Sequence, residues 1–197
     1  TVAHDHPAYA GPIGIVGSTS ANALGAEADV IVAIGTRLMD FTTGSWTLFN
    51  HDAKFISINA ARWDATKHRA LAVVGDAKAT VEELADALKG WKVDAAWTKK
   101  AKSLMAEWNT ALDGYQKPTN APVPTYAQVV GVVNAKAAPR DYMITAAGGL
   151  PGETMKNWRC KTTNSYDLEF GFSCMGYEIA GGWGAAMADP TRDVIVM

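Results

Sequence analysis

Asp29-Val30-Ile31-Val32-Ala33-Ile34-Gly35 is the stretch that decides the fold. It is a short, continuous, β-branched run that ends in glycine, the pattern of a strand buried on both faces of a parallel sheet. Lys54-Phe55-Ile56-Ser57-Ile58-Asn59 and Leu71-Ala72-Val73-Val74-Gly75-Asp76 repeat it. A helical stretch, Ala21 to Ala28, precedes the first run. Thr80 to Leu88 follows the third, with apolar residues at helical spacing and Thr80 as the expected N-cap. Strands alternating with helices predict a doubly wound α/β layer.

Working outward, this first unit extends over residues 1–90. Residues 91–124 follow, with a helix rich in Ala, Lys and Trp from about Val93 to Gln116 and a Pro-rich linker, Lys117-Pro118-Thr119-Asn120-Ala121-Pro122-Val123-Pro124. The α/β alternation restarts over residues 125–197. Thr125 caps a helix running to about Ala137, and Asp141 to Ala146 is a strand. Ala147-Gly148-Gly149-Leu150-Pro151-Gly152 is a loop, Tyr177 to Ala188 a helix, and Asp193 to Met197 the next strand. The expected fold class is α/β, with two doubly wound parallel-sheet units joined by a helix and a Pro-rich linker. The second unit reads as incomplete because it ends in an apolar strand. With no Met at its start, the chain is read as an internal fragment of a longer protein.

Composition narrows the function classes. Hydrophobic residues make up 48% and charged residues 19%, which suits a packed core, and the formal net charge is -2. No basic block invites nucleic acid; Lys99, Lys100 and Lys102 read as a solvated helix face. No apolar run approaches the roughly 20 residues of a membrane span. Cys160 and Cys174 have no Cys or His at metal-ligand spacing, so no zinc motif is expected, and a reducing cytoplasm is the default location. His4 and His6, ahead of Pro7, read as a loop feature rather than a metal site.

Ligands of open parallel sheets bind beyond the carboxyl ends of the strands. Two glycine-containing segments fall there. In Ala146-Ala147-Gly148-Gly149-Leu150-Pro151-Gly152, backbone N–H groups can approach an anion. Glu169-Phe170-Gly171-Phe172-Ser173-Cys174-Met175-Gly176-Tyr177 leads into a helix N-terminus, which favours negative charge. On spacing alone, a glycine loop after a strand is more simply a tight turn.

The second segment, continued through Glu178 and Ile179-Ala180-Gly181-Gly182-Trp183-Gly184-Ala185-Ala186-Met187-Ala188-Asp189-Pro190, resembles the pyrophosphate-binding domain of thiamine-diphosphate enzymes of the acetolactate synthase type. His6-Pro7 through Gly17, Ala33-Ile34-Gly35-Thr36-Arg37 and Gly75-Asp76-Ala77-Lys78 resemble the middle domain of that family. The 146–153 segment lacks the Gly-Gln-His-Gln-Met-Trp motif usual in acetolactate synthases. Together with Arg37 to Ser45 and Glu169 to Glu178, it is instead similar to a branch that opens a cyclic trihydroxy-1,2-dione. That hydrolytic carbon–carbon cleavage gives 5-deoxy-glucuronate in inositol catabolism. A 2-keto-acid carboligase or decarboxylase, and a non-catalytic nucleotide-binding fragment using the Gly35-Thr36-Arg37 turn, are the alternatives.

The resemblance implies thiamine diphosphate and Mg²⁺ as cofactors, a small-molecule substrate, and a homodimer or homotetramer when intact. It puts Ala147, Gly148, Gly149 and Leu150 along the diphosphate, and Ser173, Cys174 and Met175 against the aminopyrimidine and thiazolium, with Met175 as the wedge that bends the cofactor. Core packing is the competing reading of Met175. Cys174 has no neighbouring base and reads as a small non-catalytic residue. Glu153, Trp158 and Tyr177 are expected toward the substrate side, with helix-terminal placement of Glu153 and simple packing of Trp158 as alternatives. No catalytic residue is expected within the chain, since the activating glutamate of the family lies in an N-terminal domain. No metal ligand is expected either, because the Gly-Asp-Gly metal loop would come just after Met197.

Overall fold

A computed structural model describes residues 2–197. The first unit comprises α1 (Thr19–Glu27), β1 (Val30–Ile34), α2 (Asp40–Thr43), β2 (Lys54–Asn59), α3 (Arg62–Ala65), β3 (Leu71–Val74) and α4 (Ala77–Ala87). A 3-10 turn, Lys67–Arg69, precedes β3. The three strands form a parallel sheet in the order β1-β2-β3, with Val30 opposite Lys54 and Ile56 opposite Leu71. The second unit follows α5 (Ala95–Gln116). It contains α6 (Tyr126–Lys136), β4 (Tyr142–Thr145), α7 (Gly149–Asn157), β5 (Tyr166–Leu168), α8 (Tyr177–Ala188) and β6 (Val194–Val196). Its sheet is also parallel, in the order β5-β4-β6. The protein is therefore α/β with two parallel three-stranded sheets.

The caps explain where the helices start. Ser18 is fully buried; its Oγ accepts from the Ala21 N–H and starts α1. The expected cap at Thr80 is corrected: α4 starts at Ala77, because the Asp76 carboxylate reaches the Ala79 N–H at 2.9 Å. Thr80 instead donates its hydroxyl back to the Asp76 carbonyl. Thr125 caps α6 as expected, and Gln128 completes a capping box by accepting from the Thr125 N–H at 2.9 Å. The Gln128 amide also donates to the Lys117 carbonyl, so one side chain both starts the helix and ties down the Pro-rich segment.

The long helix α5 packs against α1 and α6, with Trp108 and Leu112 buried. Arg159 reaches it from the end of α7, donating to Asp113 at 2.6 Å, and Gln116 donates to the Asn157 carbonyl at 2.7 Å. Lys100 pairs with Glu27 of α1. These contacts hold the units together through one helix.

The first sheet corrects one expectation. Val30, Val32 and Ile34 are 49%, 43% and 46% exposed, so β1 is not buried on both faces. It is an edge strand of a three-stranded sheet, and no described helix covers its alternate positions. The second sheet has the denser interior: Met143 of central β4 is fully buried with Val130, Ala137 and Trp158, and Leu150, Tyr166 and Ile195 pack around them.

Candidate functional site

β4 and β5 are parallel neighbours, so the segments that follow them leave the same, carboxyl edge of the sheet. The Glu169 N–H donates to the Thr145 carbonyl at 3.2 Å, which sets the start of the second segment beside the start of the first. On the other side of β4, the Thr145 hydroxyl donates to the Met197 carbonyl at 2.7 Å.

After β4 the chain runs through buried Ala146 and half-buried Ala147 to Gly148, exposed at φ 142°, ψ -171°. That backbone region is essentially reserved for glycine. The loop is shorter than expected: residues 149–152, read as loop, form the first turn of α7. Pro151 is tolerated there because an N–H in the first helical turn has no partner within the helix. No side chain caps α7, so the Gly149 and Leu150 amides sit at an uncapped helix start, which suits an anion. Gly149 lies against the Tyr126 ring; a Cβ there would come within 3.1 Å of Cε2.

After β5 the chain folds around Glu169. Its carboxylate accepts from the Phe172 N–H at 3.0 Å and the Cys174 N–H at 2.9 Å. Ser173 takes a left-handed conformation at φ 53°, and Gly176, at φ 97°, turns the chain into α8. The Tyr177 hydroxyl donates to Asp167 at 2.6 Å. That bond, more than burial, pushes the phenol up to about 12. Gly181 and Gly182 let α8 sit directly on the sheet: a Cβ at either would come within 2.7 Å of Ile144 or Val196 side-chain atoms. The seating of α8 thereby sets the position of the loop that precedes it.

The first unit touches this loop. The Arg37 guanidinium lies 4.3 Å from the Phe172 ring centroid, and Phe41 meets Phe170 edge-on at 5.1 Å. Arg37, of the turn that the nucleotide-binding alternative would use, stacks its guanidinium on this loop.

The residues singled out from sequence fall into two groups. Gly148, Gly149, Ser173, Cys174 and Met175 are all exposed along the one edge, with Ala147 and Leu150 half-buried beside them. Met175 is 81% exposed and does not pack in the core of the described residues. Trp158, by contrast, is 8% exposed and packs in the core with Val130, Ala137 and Met143. Glu153 lies in the second turn of α7, not its first, and bonds Lys156 and Asn157. His4 bonds the Cys160 carbonyl through Nδ1. Among the described residues, no group of three His, Cys, Asp or Glu side chains is arranged to hold a metal ion. The Glu169 clamp went unread in the sequence; a carboxylate three and five residues ahead of two loop amides was the available signal.

Neither cysteine is activated. Burial pushes the Cys160 thiol up to about 11, and the hydrogen bond to Glu169 raises that of Cys174. The Cys174 and Phe172 amides hold the Glu169 carboxyl below its ordinary value. A lowered folded-state value means that the clamp is complete above the ordinary carboxylate range and is lost as pH falls through the lowered value. Hydrogen exchange at Phe172 and Cys174, corrected for intrinsic rates, should therefore accelerate in acid. Glu169→Gln should abolish that pH dependence and speed alkylation of Cys174 at pH about 8, below the usual thiol value. An unchanged alkylation rate would contradict the contact.

Residues 1–84 match the family described as thiamine pyrophosphate enzyme, central domain, and residues 146–197 match thiamine pyrophosphate enzyme, C-terminal TPP binding domain. The chain is 34% identical to the 3D-(3,5/4)-trihydroxycyclohexane-1,2-dione hydrolase of Geobacillus thermodenitrificans strain NG80-2, with 100% of this chain aligned to 34% of that protein. Proteins of the same name from Bacillus cereus strain AH820 and Bacillus thuringiensis strain Al Hakam are also 34% identical, over 98% of this chain and 34% of theirs. The chain thus spans about a third of the length of the curated relatives it matches. No described helix is long and apolar enough to cross a membrane. The uncapped start of α7, the glycine-only conformation before it and the exposed Met175 of the neighbouring segment are compatible with a diphosphate-bearing cofactor, and by both family matches the chain belongs to the thiamine pyrophosphate enzymes.

Proposed function

We propose that the chain is the middle and part of the cofactor-binding portion of an enzyme that opens a trihydroxycyclohexane-1,2-dione ring by hydrolysis, giving 5-deoxy-glucuronate in inositol catabolism. The observation that carries this reading is the bond from Glu169 N–H to the Thr145 carbonyl, which starts the two glycine segments side by side on one sheet edge. The shared name of the relatives supports the substrate.

When bound, thiamine diphosphate supplies a carbon nucleophile and an electron sink for carbon–carbon cleavage. The chain's own residues bind and orient. The Gly149 and Leu150 amides at the uncapped start of α7 would hold the diphosphate, helped by the helix dipole. Ala147 and Gly148 would keep that approach free of bulky side chains. Met175, exposed on this segment, would supply the apolar side chain against the cofactor's rings, and the backbone of Ser173 and Cys174 would contact its aminopyrimidine. Glu169 fixes that segment by accepting from the Phe172 and Cys174 amides. We assign the Mg²⁺ ligands, and the glutamate that activates the cofactor, to the parts of the relatives' length outside this chain. A homodimer or homotetramer is proposed for the whole protein. The uncovered stripe Ile179, Trp183 and Met187 on α8 supports a further protein surface there.

The test is an assay of the protein at its relatives' full length with the cyclic dione. Release of one acid per ring opened, lost on removal of either thiamine diphosphate or Mg²⁺, is the expected result. Turnover that survives removal of both overturns the proposal, and consumption of pyruvate with CO₂ release would move it to the keto-acid branch.

A further inference from the structure

The amino edge of the first sheet carries a feature that the proposed reaction does not use. A cavity of about 480 Å³ opens there, lined chiefly by Trp46, Phe49, Lys54, Phe55, His68 and Arg69. Its volume is within the range of small-molecule sites. Lys54 and Phe55 are the first residues of β2, so the cavity lies at the opposite end of that strand from the loops that follow Ile34 and Val74.

The walls are aromatic. Phe55 meets Trp46 and Phe49 edge-on, each at 5.2 Å between centroids, and the His68 ring stacks on Trp46 at 3.5 Å. Such edges present positive ring hydrogens and accept a further planar ring. The rim is cationic. Among the described residues, neither Lys54 nor Arg69 has a carboxylate within ion-pair distance, whereas the nearby Asp52 is within 3.5 Å of His51. Two permanent charges thus stand beside an aromatic slot without a salt-bridge partner among the described residues, while the Asp40 carboxylate acts on His68 of the same lining.

Backbone strain gathers at the same place. Seven described non-glycine residues have positive φ, and four of them are Ser45, Trp46, His68 and Arg69 at 51°, 67°, 56° and 59°. The left-handed region disfavours L side chains, and such residues collect at ligand clamps and switches. Two consecutive pairs, from segments on either side of β2, bring Trp46 and His68 into contact and set Arg69 on the cavity lining.

We propose that this cavity is a binding site for a small aromatic carboxylate, its ring held among Trp46, Phe49 and Phe55 and its carboxylate paired with Arg69 and Lys54. Arg69 offers the planar fork that suits a carboxylate, and Lys54 adds a point charge. The site is independent of the cofactor loops, so it stands or falls apart from the reaction assigned above.

The test is a ¹H–¹⁵N NMR titration of the 197-residue chain with benzoate, and with benzamide as its neutral analogue. Saturable shifts of the Trp46 indole N–H and of the His68 and Arg69 amides are expected with benzoate, and about tenfold weaker binding with benzamide. Arg69→Gln and Lys54→Gln, both at exposed positions, should each weaken benzoate about tenfold with an unchanged circular dichroism spectrum, while Lys99→Gln should not. No saturable shift at Trp46, equal affinity for benzamide, or full affinity in both cavity variants would overturn the proposal.

Discussion

Gly148→Ala should destabilise the chain by about 1–3 kcal/mol, although the new methyl meets almost nothing. A Cβ at this position would lie 3.6 Å from Pro151 Cδ, an ordinary contact, so steric overlap is not the cause. The cost is torsional: φ 142° with ψ -171° is a conformation that an L side chain cannot take without strain. The backbone either keeps that strain or swings to an ordinary conformation, and the swing re-aims the first amides of α7. In a domain of this size the melting temperature should fall by about 2–12 °C. At the relatives' full length, the same variant should also weaken thiamine diphosphate binding, since the re-aimed amides are those assigned to the diphosphate. A variant that melts with the parent would show that Gly148 does not hold this conformation.

The other large effect belongs to the centre of the second sheet. Met143→Ala should cost about 2–5 kcal/mol, the usual range for truncating a buried Met. Met143 is fully buried, at 0% exposure, opposite Tyr166 on one side and Ile195 on the other. Val130 and Trp158 close the cluster around it, so little of the vacated volume can be refilled by local collapse. Met143→Leu keeps most of the volume and should cost less than about 1.5 kcal/mol. Urea midpoints compared at unchanged m-value would measure both. A loss in the alanine variant no larger than in the leucine variant would show that the site collapses around the gap. Since β4 is the strand from which the Gly148 segment leaves and to which Glu169 is bonded, this core also carries the geometry of the site.

Much of the architecture could be read from local pattern. Val30 to Ile34 and Lys54 to Asn59 are apolar runs of strand length, and the helix from Tyr177 to Ala188 starts just after Gly176, as expected. Thr125 was legible as a cap because its oxygen and the amide it satisfies are three residues apart. Where local signals competed, the reading slipped. Asp76 and Thr80 are both good capping residues, and the choice went to the carboxylate that could reach the Ala79 amide. Strand β5 has three residues, one of them Asp167, too few to display a period of two. The 149–152 stretch looked like loop because its glycines and proline suppress the helical pattern they begin.

Residue chemistry and short-range periodicity were enough for the fold class, for most elements and for the two glycine segments, because those depend on neighbours a few positions away. Chain folding alone set the partners. It bonded Glu169 to Thr145, laid Arg37 over Phe172, left Met175 in solvent and buried Trp158, and stacked His68 on Trp46. Each of these joins or separates residues far apart along the chain, and which side chain finds which is decided by the packing of whole helices on sheets, a sum over many weak contacts that no short window of sequence contains.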